Sequence, residues 1–392
     1  MMTAAYDFLS PPKIVFGWGR RQEVGQLIQP LGRRAIVVYG SRTLAASGAL
    51  NEITAALHEA GVAAEQVASI SHEPEVSDVD RLVDRLLQLQ AGPGDCLLAI
   101  GGGSAIDLAK AAAALATNRA SRTVRDYLEG VGRGLKIIEP PLPVLVMPTT
   151  GGTGAEATKN AVISCYDPPF KKSLRSELML PRVVLVDPEL AVTLPASATA
   201  WSGMDAITQL VESYLSRFAR PIPQALAIDG LRRALPALPE AVRNGSSREA
   251  REAMAHAALL SGMCLANSGL GLAHGVAAAL GVHARVTHGL ACAVMLPAAL
   301  RINRPVREAE LARLARDTLG GAWPSDAAAA DAFLTVIDEL ADAVGVPKRL
   351  SELDVQRDQV ADLVAASRGN SMNGNPRQLD DAELADLLTQ MF

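Results

Sequence analysis

The chain has 392 residues, of which 49% are hydrophobic and 20% charged, enough length and apolar content for two globular domains and too much for a disordered chain. Its 37 Lys and Arg against 42 Asp and Glu leave a net charge of −5, so there is no electrostatic basis for holding nucleic acid or an anionic membrane. The stretch from Met1 to Ser10 has no basic run followed by an apolar core, and the longest apolar stretches fall short of a membrane span, which predicts a cytoplasmic protein.

In chain order, residues 36–39 read as a strand, and 50–60 and 79–89 as amphipathic helices with apolar residues at helical spacing. Residues 96–100 form an apolar run that passes straight into glycines, and 143–147 and 183–186 supply two more strands. Strand and helix in alternation predict parallel strands joined by helical crossovers. From about residue 198 only helical patterns follow, at 204–216, 223–235, 248–268, 271–280, 308–319, 327–344 and 356–366. The boundary is placed near residue 190, giving an α/β domain over 1–190 and an all-α domain over 191–392. Cys96, Cys165, Cys264 and Cys292 lie far apart in apolar stretches without metal-finger or redox spacing, which predicts buried free thiols.

Two loops in the first half carry chemistry. Gly101-Gly102-Gly103-Ser104 follows the strand at 96–100 and opens a helix. Backbone N–H groups at a helix N-terminus, with no side chains in the way, cradle a pyrophosphate. Ser104 is read as the N-cap, with Asp107 completing a capping-box-like pair; that pair would serve equally if it only started the helix. The second loop runs Pro148-Thr149-Thr150-Gly151-Gly152-Thr153-Gly154-Ala155-Glu156. Alone it is only a loop, but two such loops at the carboxyl ends of parallel strands stand where α/β sheets hold ligands.

The helical half carries a candidate metal set. Asp205 and Gln209 are four residues apart and share one helix face. His274 and His288 follow, each before a glycine. Such residues are either hydrogen-bonded structural groups or ligands of a divalent ion. His58, His72 and His256 lie in charged or Ala-rich surroundings and are assigned no role.

Taken together, "GGGSAIDLAK" (101–110), "PTTGGTGAEAT" (148–158), "LPRVVLVDPEL" (180–190), "GMDAITQLVESY" (203–214), "GLGLAHGVAAALG" (269–281) and "HGLACAVMLP" (288–297) resemble, in order and spacing, the signatures of the iron-containing (metal-dependent, group III) alcohol dehydrogenase family. The resemblance covers nearly the whole chain. It implies an N-terminal Rossmann-like α/β domain and an all-α C-terminal domain, similar to dehydroquinate synthase. It implies hydride transfer between NAD(P)H and a small aldehyde, ketone or alcohol, with Fe²⁺ or Zn²⁺ as Lewis acid, and allows a homodimer. The family's metal is held by an Asp, a His four residues later and two further histidines. These positions are Asp205, Gln209, His274 and His288 here, so one imidazole is replaced by an amide. Asp205, His274 and His288 are the implied catalytic residues. The implied cofactor contacts are Gly40, Ser41, Gly101, Gly102, Gly103, Ser104, Asp107, Thr149, Thr150, Thr153 and Lys171, with Lys172 as a rival for the last. A non-ligand histidine that many members carry is Ala278 here; His283, just beyond, is either its replacement as proton relay or a loop histidine.

Three other readings compete. The chain could be a metal-free reductase of the same family, like maleylacetate reductase, or a catalytically silent descendant. A carbon–oxygen lyase of the dehydroquinate synthase type shares the fold, but the candidate metal segments here are poor in the basic residues it needs. The strand at 36–39 runs into Gly40-Ser41-Arg42 with no carboxylate to hold a ribose 2′-hydroxyl. NADP(H) is therefore expected to serve at least as well as NAD(H).

Overall fold

A strand whose residues are all apolar needs cover on both faces, and a parallel sheet flanked by helices provides it. In the computed structural model, which describes residues 5–40 and 42–392, β4 (Asp95–Gly101) and β5 (Val144–Pro148) are buried at every position. They lie inside a six-stranded parallel sheet ordered β1-β8-β5-β4-β2-β3, with β1 at Ile14–Phe16, β2 at Arg34–Gly40, β3 at Ala63–Ile70 and β8 at Val183–Val186. The crossovers include α1 (Ala49–Glu59), α2 (Val76–Gln88) and α3 (Gly103–Thr117). A separate antiparallel hairpin pairs β6 (Asn160–Tyr166) with β7 (Pro169–Arg175).

The expected strands are all present, but β1, β3 and the hairpin were not foreseen. β3 is an edge strand with Ile70 its only fully buried residue, and β7 carries Lys171, Lys172 and Ser173. Neither has the apolar run or clean alternation that marks a buried strand. The sheet's order has a functional consequence. From β2 the chain steps outward to β3, then returns across β2 to β4. The carboxyl ends of β2 and β4 therefore flank a topological switch point, the usual ligand position in such sheets. Gly40 and Gly101 sit there side by side, since Tyr39 pairs with Ile100 one residue earlier.

This α/β unit comprises Ser10–Thr150 and Gly154–Leu194. A second unit comprises the described residues up to Leu9, the short stretch Gly151–Thr153, and Pro195–Phe392. It is helical: α4 (Ala196–Leu215), α5 (Pro221–Arg243), α6 (Arg248–Ser268), α7 (Leu272–His283), α8 (His288–Leu319) and α9 (Asp326–Ala343) are its longer elements. Its core joins Met204, Ile207 and Val211 of α4 to Leu231 of α5, Val276 of α7 and Phe333 of α9. Small residues let the helices approach closely. A Cβ on Gly289 would lie 2.6 Å from the carbonyl oxygen of Trp201, so α8 and α4 can touch backbone to backbone only because that residue is glycine. The helix expected at 308–319 is the end of the longer α8, which bends at Arg307 (φ −137°, ψ 26°), shortly after Pro305. Proline lacks the N–H that would continue the ladder, and a kink follows. Among the described residues no single helix is long and apolar enough to cross a membrane.

Candidate active site

The glycine loop has the stereochemistry of an anion cradle. Gly101 has φ +156°, and a Cβ on it would stand 2.8 Å from Ala105 Cβ and 2.9 Å from the Gly40 nitrogen. The Thr149 amide donates to the Gly101 carbonyl at 3.0 Å, which ties the second loop to the first. α3 starts at Gly103 with Gly102 as N-cap and no side chain capping it. The expected Ser104 N-cap is therefore corrected. Ser104 lies inside the first turn because the sharp bend at Gly101 ends two residues earlier, and the first-turn N–H groups carry no side-chain cap. A pyrophosphate fits this opening on charge and on space.

Asp107 does not cap the helix either. Its carboxylate accepts from the Val162 amide at 3.0 Å and lies 3.4 Å from Lys110 Nζ. Lys110 is buried and donates to the Ala155 carbonyl and Thr158 Oγ1, both at 2.9 Å. Burial pushes the Asp107 carboxyl up and the Lys110 ammonium down, against the pull of each on the other. Burial also raises Glu156 to about 7. This polar knot fastens α3 to the turn at 154–158, and the Asp107–Lys110 spacing in an Ala-rich helix was its only sequence signal. Lys171 donates to the half-buried Glu73 at 2.7 Å. Thr150 borders the cradle, where a Cβ on Gly102 would meet its Cγ2 at 3.2 Å. Ser41 lies outside the described residues.

The helical unit brings the candidate ligands together. Asp205 on α4, His274 in the first turn of α7, His288 at the start of α8 and Cys292 one turn later place their donor atoms within 4.8 Å of one another. His274 Nε2 lies 3.2 Å from Asp205 Oδ1, and Cys292 Sγ lies 3.7 Å from His288 Nε2. The buried His274 and Asp205 are each essentially closed to solvent.

Glu212, two turns beyond Asp205 on α4, orients this set and was missed by sequence reasoning. It accepts from the backbone amides of Gly271, Ala273 and His274 at 3.0, 2.7 and 3.4 Å, capping α7. It also takes His274 Nδ1–H at 2.7 Å. With that proton committed, Nε2 and Asp205 Oδ1 are two electron-pair donors facing one another, and they need a proton or a cation between them. The pairing of a metal-binding histidine with a carboxylate behind it is the usual outer support of a metal site. Burial pushes His274 down, but Cys292, Asp205 and Glu212 hold it well above its ordinary value. Burial pushes Asp205 up, but His274, His288 and Gln209 hold it below the usual carboxylate range. Burial drives the Cys292 thiol up to about 12.

Gln209 is adjacent but differently engaged. Its Nε2 donates to Asp205 Oδ1 and to the Thr153 carbonyl, both at 3.2 Å, and its Oε1 accepts from Ser261 Oγ at 2.7 Å. Thr153 thus belongs with the helical unit rather than with Thr149 and Thr150. Ala278 is half-buried on α7, and His283 ends that helix. The donor chemistry fits a divalent ion. Ligand atoms about 2.0–2.3 Å from a tetrahedral centre lie about 3.3–3.7 Å apart, close to the two spacings measured here.

Residues 11–188 match the family model for iron-containing alcohol dehydrogenase, and residues 199–392 match the C-terminal model of the same family. The chain belongs to the iron-containing alcohol dehydrogenase family. It is 31% identical over 388 residues to the NAD-dependent methanol dehydrogenase of Bacillus methanolicus, covering 97% of this chain and 98% of that one. It is 32% identical over 395 residues to the 1,3-propanediol dehydrogenase of Klebsiella pneumoniae, covering 99% of each. A crystal structure of 1,3-propanediol oxidoreductase superposes with a TM-score of 0.91 at 30% identity, over 99% of this chain and all of the other. As an iron-containing alcohol dehydrogenase, the chain is an oxidoreductase that moves a hydride between a nicotinamide cofactor and an alcohol or carbonyl carbon. The α/β unit with its parallel sheet and the helical unit are those of the family.

Proposed function

We propose that this alcohol dehydrogenase acts on small alcohols and aldehydes in the cytoplasm, with a divalent cation held by Asp205, His274 and His288. The observation that carries the reading is the convergence of those donor atoms within 4.8 Å. Similarity to proteins named for methanol and propanediol supports the small substrate.

When bound, the cation supplies a Lewis acid for the substrate oxygen and the nicotinamide carries the hydride. The chain's own residues do the rest. Glu212 keeps the Nδ1 proton of His274, so Nε2 presents its lone pair to the site. The Gln209 N–H donates to the Asp205 carboxylate and aims it. The open amides at the start of α3 take the cofactor's pyrophosphate between Gly40 and Thr150. Lys110, bonded to the 154–158 turn, fixes the second loop so that Thr149 keeps its bond to Gly101.

The experiment is steady-state oxidation of 1-propanol and 1,3-propanediol by wild type, Asp205→Ala and His274→Ala, with and without chelator. Loss of an interaction worth several kcal/mol lowers kcat/KM by about 100-fold or more, and both variants are expected to show it. Full wild-type turnover in chelator, matched by His274→Ala, would establish a metal-free reductase instead. The cofactor proposal is that NADP(H) serves at least as well as NAD(H), because residues 40–42 carry no carboxylate. An NADH preference above about tenfold, roughly 1.4 kcal/mol, would overturn it.

A further inference from the structure

Where the family carries an imidazole this chain has Gln209, and a sulfur from another helix, that of Cys292, stands beside the remaining donors. His288 and Cys292 are four residues apart at the start of α8 and share one face. His288 cannot face Asp205 and His274 without bringing Cys292 with it, and the sulfur indeed lies within 4.8 Å of the other donors. Gln209 is held out of the coordinating role by its partners. Two acceptors, Asp205 and the Thr153 carbonyl, claim its amide nitrogen, and a donor, the Ser261 hydroxyl, claims its oxygen. The assignment of its oxygen and nitrogen is therefore fixed by the chemistry around it. To ligate a cation, Gln209 would have to give up its bond from Ser261 and expose Asp205 to an unpaired edge.

We infer that Cys292 is the fourth ligand of this centre, and that its sulfur directs the site toward Zn²⁺ over Fe²⁺. The inference rests on the metal reading given under Proposed function. On binding, the thiol proton leaves to solvent and the thiolate bonds to the cation. One carboxylate and one thiolate then neutralise the divalent charge, with two imidazoles completing the set. Thiolate is the softest donor here. It favours Zn²⁺, which accepts mixed nitrogen, oxygen and sulfur sets. Gln209 then acts as a positioning residue, through Asp205.

The test uses the full-length protein stripped by chelator and titrated with Co²⁺, followed by absorption spectroscopy. Wild type is expected to show visible ligand-field bands together with a near-ultraviolet thiolate-to-cobalt charge-transfer band. Cys292→Ala should keep the first and lose the second, and should bind Zn²⁺ more than about tenfold more weakly, the lower bound seen for removing even an outer partner of a ligand. Cys264→Ala, a buried thiol outside the cluster, should leave both bands unchanged. X-ray absorption of the Zn²⁺-loaded wild type should give a sulfur scatterer at about 2.3 Å, and it decides the matter alone if Cys292→Ala does not fold. Ligand-field bands that disappear in His274→Ala, with no charge-transfer band and no sulfur scatterer in wild type, would overturn the role of Cys292 and leave the metal reading standing. Failure of wild type to bind Co²⁺ and Zn²⁺, or binding indifferent to His274→Ala, would overturn both.

Discussion

Glu212 makes four hydrogen bonds from one carboxylate, three to backbone amides at the start of α7 and one to His274. Every one of its partners is a donor. Glu212→Gln replaces an acceptor oxygen by an NH₂ group that must then face one of those donors. The expected result is a fall in Zn²⁺ affinity of about 10–100-fold with the fold retained, measured by competition with a chromophoric chelator. Unchanged affinity would show that His274 needs no orienting partner. Glu156 has a different consequence. Its folded-state value of about 7 stands above the ordinary 4.5, so the folded chain holds a proton that the unfolded chain has lost. The associated stability is fully present below about pH 4.5 and is lost as the pH rises through about 7. Thermal unfolding of the cofactor-free protein should therefore show a decline in midpoint between these values that Glu156→Gln reduces. Parallel curves for wild type and variant would remove Glu156 as the source.

At the scale of elements, the turn from β4 to α3 is set by Gly101. An alanine there would press its Cβ against Ala105 and the backbone of Gly40, a contact that only a shift of β2 or α3 could relieve. Gly101→Ala is expected to cost about 1–3 kcal/mol of stability by overpacking and to raise KM for the nicotinamide cofactor more than it lowers kcat. An unchanged KM would place the pyrophosphate elsewhere. This turn was legible in the sequence, because an apolar run ending in three glycines has few other uses. Asp205, His274 and His288, each carried by a quoted motif, are brought together as the sequence grouped them. Cys292 was expected to be a buried free thiol, which it is; that it stands beside His288 and Asp205 shows only in the packing of α8 against α4. Glu212 lies inside a quoted motif, but nothing in the sequence gave its role, for its partners are 59 to 62 residues away. The N-cap was misplaced by two residues because the chain turns at Gly101 and Gly102 already takes the cap position.

At the scale of the whole molecule, the chain changes unit four times, after Leu9, Thr150, Thr153 and Leu194. The helical unit therefore depends on pieces from distant parts of the sequence. Thr153 receives the Gln209 amide, and Leu9 is gripped at both its N–H and its carbonyl by the Asn267 side chain, at 2.7 and 2.8 Å. Asn267→Ala leaves that pair of backbone groups unmet, at a cost of about 1–3 kcal/mol if water does not reach them. It should also make the segment from Ala5 to Leu9 sensitive to limited proteolysis under conditions where wild type resists. Equal resistance would mean that other contacts hold the segment. The grip on Leu9 also sets an order of events during synthesis. Asn267 follows Leu9 by 258 residues, so a ribosome adding about 5–20 residues per second leaves about 13–50 s between them. For that interval Leu9 lacks its Asn267 partner, and it docks there only after α6 has emerged.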